Sequence, residues 1–102
     1  MISYCEQQGS ILSVVHSNGQ RTQFPCAYEV IGWDDEEICC ISQHGEVNFF
    51  TATGENQGMY RIGMSKDKPI SFTNGVFLYE DTQLGIKYAY NRYTGETRNA
   101  SW

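Results

Sequence analysis

Turn chemistry recurs along this chain about every ten residues, which leaves room only for short extended segments between turns. Ser17-Asn18-Gly19-Gln20, Gln43-His44-Gly45-Glu46, Thr53-Gly54-Glu55-Asn56, Thr73-Asn74-Gly75, Gln83-Leu84-Gly85 and Thr94-Gly95-Glu96 each sit between apolar runs. Asn-Gly and related pairs reach the positive φ angles that tight hairpins need. The runs between them are rich in β-branched and aromatic residues and alternate with period two. Ile86, Tyr88 and Tyr90 alternate with Lys87, Ala89 and Asn91, and Val47 and Phe49 alternate with Glu46 and Asn48. That alternation is the signature of strands. No window of helical length carries a 3.6-residue period, so helix is confined to a turn near Ser65 to Lys68. The two prolines, Pro25 and Pro69, fall where strand edges are expected, and there a missing N–H costs little.

The expected fold is therefore all-β, a single domain over residues 1–102. It is an antiparallel meander of about 8–10 strands, closed as a barrel or a two-layer sandwich. Hairpins are expected near Asn18-Gly19, His44-Gly45, Asn74-Gly75 and Leu84-Gly85. A chain of 102 residues buries roughly 65% of its unfolded surface, enough for a core without staples. Its 40% apolar and 14% aromatic content excludes a disordered chain.

A weak internal repeat runs through this pattern. Residues 30–62 begin Val-Ile-Gly-Trp, pass an acidic turn, and continue through two apolar runs to Thr-Gly-Glu and a last short run. Residues 69–102 begin Pro-Ile-Ser-Phe, turn at Asn-Gly, and follow the same course to a second Thr-Gly-Glu, 41 residues after the first. The segment Ile11 to Gln20 looks like the second half of such a unit. The pattern resembles the four-stranded repeat of β-propeller blades, in which a Thr-Gly-Glu turn often precedes the outermost strand. The resemblance implies meander units, about two and a half of them, whereas a closed single-chain propeller needs four or more. The Trp33-Asp34 pair also stands at a different point of the unit from the Trp-Asp ending of one propeller family. The expectation therefore keeps the meander without the ring, with assembly of several chains as the other way to cover the strands.

Charge is distributed unevenly. Between Arg21 and Arg61 there is no lysine or arginine, while Glu29, Asp34, Asp35, Glu36, Glu37, Glu46 and Glu55 give that stretch a net charge of −7. The rest of the chain sums to +2, for −5 overall. Such a field attracts cationic partners and repels nucleic acid and anionic membrane. Arginine and aromatic residues do interleave at Tyr90-Asn91-Arg92-Tyr93, a pattern that stacks single-stranded nucleic acid, but the overall charge opposes it. No basic, apolar leader opens the sequence and no run approaches the ~20 apolar residues of a membrane span. The expected setting is the cytoplasm, and the four cysteines, Cys5, Cys26, Cys39 and Cys40, are expected to be buried and reduced.

Chemistry-bearing motifs are scarce. Two isolated histidines, His16 and His44, and cysteines without a Cys-x-x-Cys pair do not supply a zinc site. The run Asp34 to Glu37 lacks the ligand spacing of a calcium loop. No nucleophile elbow or phosphate-cradling glycine loop is present. No cofactor, metal or enzymatic activity is expected.

What remains is a binding surface. The leading expectation is a non-enzymatic acidic interaction protein that neutralises a basic protein, with Trp33, Asp34, Asp35, Glu36, Glu37, Glu46 and Tyr28 as its contact residues. In profile the chain resembles bacterial toxin-immunity proteins, which are short, acidic and cytoplasmic, and which block nuclease toxins. A nuclease must expose cations to hold phosphate, so an acidic surface is complementary to it. The alternative is a carbohydrate- or small-ligand-binding β module that stacks sugar rings on Trp33, Tyr93 and Trp102.

Overall fold

A computed structural model describes residues 1–63 and 66–100. Among them there is no helix, and eleven strands follow one another. β1 (Ile2–Gln8), β2 (Ile11–His16) and β3 (Arg21–Pro25) form a first antiparallel sheet in the order β1-β2-β3. β4 (Glu29–Trp33), β5 (Glu37–Ile41), β6 (Glu46–Thr51) and β7 (Asn56–Arg61) form a second, in chain order. β8 (Asp67–Thr73), β9 (Val76–Asp81), β10 (Ile86–Asn91) and β11 (Thr97–Asn99) form a third, also an uncrossed meander.

The all-β antiparallel meander expected from the turns is thus the observed fold, and all four hairpins named above form. It closes no barrel: the three sheets stack in a row, which gives the molecule extents of 42 × 24 × 20 Å. Of the helical turn expected near Ser65 to Lys68, Ser65 lies outside the described residues. Lys66 stands in a turn, and Asp67 and Lys68 already belong to β8.

The layering follows from the middle sheet. Every residue of β5, from Glu37 to Ile41, is buried. Successive strand side chains point to opposite faces, so this strand feeds two cores at once. Ile38 and Cys40 pack toward the first sheet with Leu12, Val14, Phe24, Cys5 and Cys26. Cys39 and Ile41 pack toward the third with Val47, Phe49, Phe72, Phe77 and Tyr79. Neighbouring sheets meet through their first strands, β1 beside β4 and β4 beside β8.

Each of these first strands carries a register shift at a matching place. The shifts lie between Ile2 and Tyr4, between Val30 and Gly32, and between Pro69 and Ser71. A β-bulge bends its strand and strengthens its twist, so the three sheets are curled alike along the line where they meet. The contact between β4 and β8 is close. A Cβ added at Gly32 would lie 2.8 Å from the Phe72 carbonyl oxygen, nearer than real Cβ atoms come. The turn Asn74-Gly75 joins β8 to β9 with both residues at positive φ, 49° and 79°, the conformation that the Asn-Gly pair favours.

Candidate functional site

The acidic run is the turn between β4 and β5, and it is a built structure. Asp34 Oδ1 accepts from the backbone N–H groups of Glu36 at 2.9 Å and Glu37 at 2.7 Å. The Asp34 N–H donates back to Glu37 O at 2.9 Å, closing the turn. This is the local bonding for which aspartate is favoured in turns. The first sheet also holds the turn, because the Ile2 N–H donates to Asp35 O at 2.8 Å.

The third sheet grips it from the other side. Tyr93, in the turn after β10, donates its hydroxyl to Asp34 Oδ2 at 3.0 Å. Arg92 Nη2 meets Glu37 Oε2 at 3.2 Å and donates to Gln57 O at 2.7 Å. The same guanidinium lies over the Phe49 ring, 5.1 Å from its centroid, a favourable cation–π distance. Gly58 leaves room for it: a Cβ there would lie 3.1 Å from Arg92 Cζ. The Arg92 N–H in turn donates to Gly75 O, which ties the β10–β11 turn to the β8–β9 turn.

Three turns therefore meet at one end of the molecule. Between them opens a cleft of about 290 Å³ lined by Asp34, Asp35, Glu36, Asn74 and Tyr93. None of these residues is cationic. Asp35 and Glu36 are exposed, and Tyr93 is 56% exposed with its ring against Gly75. The Tyr93 hydroxyl is pushed well above the ordinary tyrosine range, first by partial desolvation and then by its hydrogen bond to the Asp34 carboxylate. Glu37 is only 7% exposed. Burial pushes its carboxyl up, and Arg92 pulls it back down. Glu37 is thus committed to the join between the second and third sheets, whereas Asp35 and Glu36 face solvent.

The residues expected to bind a partner divide accordingly. Trp33, Asp34, Asp35, Glu36 and Glu37 lie together. Trp33 stands edge-on to Tyr4, with ring centroids 5.8 Å apart, and lines a separate groove with Ile31, Gly32, Ser71, Phe72 and Thr73. Glu46 is elsewhere. It begins β6 opposite Ser42, beyond the far end of β5, about 17 Å along the strand from Glu37. There it pairs with Arg61 at 3.1 Å. Tyr28 belongs to the core between the first two sheets, stacked on Phe50 at 6.1 Å. Of the aromatics considered for sugar stacking, Tyr93 lines the cleft, and Trp102 lies outside the described residues.

Arg92, Asn74 and Gly75 were not singled out as site residues by the sequence, although Asn74-Gly75 was read as a turn. Chain separation hides their role: Arg92 is 55 residues from Glu37. No cation lies near the acidic run in the chain, and the meander brings Arg92 to Glu37 from the next sheet. No family model, curated protein or solved structure matches the chain.

Proposed function

We propose that this chain is a non-enzymatic interaction protein that binds a basic protein, and that it receives a lysine or arginine side chain of that partner in the cleft at the end of the second and third sheets. One observation carries the reading. Asp34, Asp35, Glu36 and the Tyr93 ring surround an open space that no cation of the lining fills. Arg92 is already engaged by Glu37, Gln57 and Phe49. Carboxylates beside an aromatic ring suit an ammonium or guanidinium group, which gains both ion pairing and cation–π attraction. A nuclease toxin is one partner of this kind, and cytoplasmic inhibition of such an enzyme fits the acidic profile.

The three meanders, with first strands adjacent and bulged alike, support a blade-like repeat as the scaffold. The scaffold sets the ends of two sheets side by side, and the turns that join their strands make the cleft. The sugar-binding alternative has less support, because Trp33 is taken up by Tyr4 and lines a different groove.

Only two of the four carboxylates of the run can be changed without disturbing the turn. The double variant Asp35→Asn/Glu36→Gln removes the solvated charges and leaves Asp34 and Glu37 in place. Exposed charges mainly set association rate. Against a basic partner isolated from native lysate, the variant should associate several-fold more slowly at low salt and lose most of its salt dependence. Unchanged rate and unchanged salt dependence would remove the support for this reading.

A further inference from the structure

The core between the first and second sheets holds three buried thiols, Cys5, Cys26 and Cys40. Two of them touch: Cys26 Sγ lies 3.9 Å from Cys40 Sγ. Cys26 stands in the short segment joining β3 to β4, and so joining the two sheets, where its N–H donates to Ser10 O at 2.7 Å. Cys40 is on β5, an interior strand of the second sheet. We propose that Cys26 and Cys40 are a redox-responsive dithiol that closes into a disulfide under oxidising conditions and staples the intersheet segment to the middle sheet.

The geometry asks for little movement. A disulfide needs its sulfurs about 2.05 Å apart, so the pair, at 3.9 Å, must close by roughly 2 Å. Cys39 is differently placed, for its side chain lies in the core on the other face of β5. Burial and the neighbouring thiols hold the Cys40 thiol far above its ordinary range, and burial pushes Cys5 up to about 12. Cys26 is 5% exposed and Cys40 0%, so an outside reagent meets Cys26 first and the attack starts there.

The oxidant is a low-molecular-weight disulfide. The Cys26 thiolate attacks one sulfur of the reagent, the reagent's S–S bond breaks, and one reagent thiolate leaves and takes up the proton that Cys26 released. Cys40 then gives its proton to solvent and attacks Cys26 Sγ in the mixed disulfide. The second reagent thiolate is expelled and takes up a proton from solvent. The protein loses two protons and two electrons, a net loss of two hydrogen atoms, and the reagent disulfide becomes two thiols.

The test is incubation of the purified 102-residue chain with glutathione disulfide until no further change occurs, followed by intact-mass measurement under non-reducing conditions. The expected result is loss of two hydrogens with no retained glutathione. Cleavage after glutamate puts Cys26 in a peptide of residues 7–29 and Cys39 with Cys40 in a peptide of residues 38–46. These peptides should be linked, and fragmentation between residues 39 and 40 should place the bond on Cys40. That assignment is made on the native chain and does not require any variant to fold. Cys39→Ser should still form the link. The oxidised protein should melt about 5 °C or more above the reduced one. Retention of all hydrogens, a stable glutathione adduct, a bond to Cys5 or Cys39, or an unchanged melting temperature in the cross-linked protein would each overturn the proposal.

Discussion

Arg92 joins two sheets with one guanidinium, and removing it exposes the cost of what it pairs. The side chain is mostly buried, as is that of Glu37. Deleting one partner of a buried pair leaves the other charge uncompensated, which is worth about 3–5 kcal/mol. Arg92→Ala should lose about that much in denaturant unfolding at pH 7. The loss should shrink on acidification, and the sign follows from Glu37. Burial already raises its folded-state pKa above the ordinary glutamate value, and without Arg92 it rises further. A group raised in the folded state contributes stability below its unfolded pKa and loses it as pH rises through the folded value. The gap between wild type and Arg92→Ala should therefore be smaller near pH 4 than at pH 7, and an unchanged gap would mean that Glu37 is not the strained partner. Asp81 behaves oppositely. Hydrogen bonds from the N–H groups of Leu84 and Gln83 and from Lys66 hold its carboxyl below the ordinary aspartate range, the Leu84 bond contributing most. Its stabilisation is complete above the unfolded aspartate pKa and disappears as pH falls through the folded one. Asp81→Asn should be less stable than wild type at pH 7, with the difference vanishing at the acid end of a pH series of melting temperatures.

Elements are where the sequence was most readable and where its silence is easiest to explain. Hairpin positions were legible because each depends on two or three adjacent residues whose backbone preferences are local, as at Asn74-Gly75. The layering was not read, although it left a trace. Ile38-Cys39-Cys40-Ile41 is apolar without alternation, as expected of a strand buried on both faces, and this is the strand that both cores share. The bulges on the first strands left no comparable mark, since Ile31 and Ile70 read as ordinary strand residues. Two glycines test the element contacts directly. Gly32→Ala forces a Cβ against the Phe72 backbone and should cost about 1–3 kcal/mol by parting β4 from β8. Gly75→Ala drives a Cβ into the Tyr93 ring while holding a positive φ, and should cost at least about 1 kcal/mol. It should also free the Tyr93 hydroxyl from Asp34, so that this tyrosine ionises at lower pH in a spectrophotometric titration. If Gly75→Ala matches wild type in both stability and tyrosine titration, the packing of Tyr93 on that turn is not what fixes the cleft.

At the scale of the molecule, the stretch with a net charge of −7 does not fold into one acidic face. Glu46 is spent on Arg61 at the far end of the second sheet, Glu37 is buried against Arg92, and Asp34 bonds its own turn. Glu29 and Glu55 are exposed away from the cleft, and only Asp35 and Glu36 are exposed beside Tyr93, placed there by turns from two sheets. A sequence shows how much charge a stretch carries, and the fold decides how much of it faces a partner. The most direct measurement is a two-dimensional amide NMR titration of the folded chain with a short arginine-rich peptide, at low and at moderate salt. The account predicts chemical-shift changes centred on residues 34–36, 74–75 and 92–94, weakening as salt rises and greatly reduced in Asp35→Asn/Glu36→Gln. Changes spread evenly over Glu6, Glu46, Glu55 and Glu80, or none at the cleft, would contradict it.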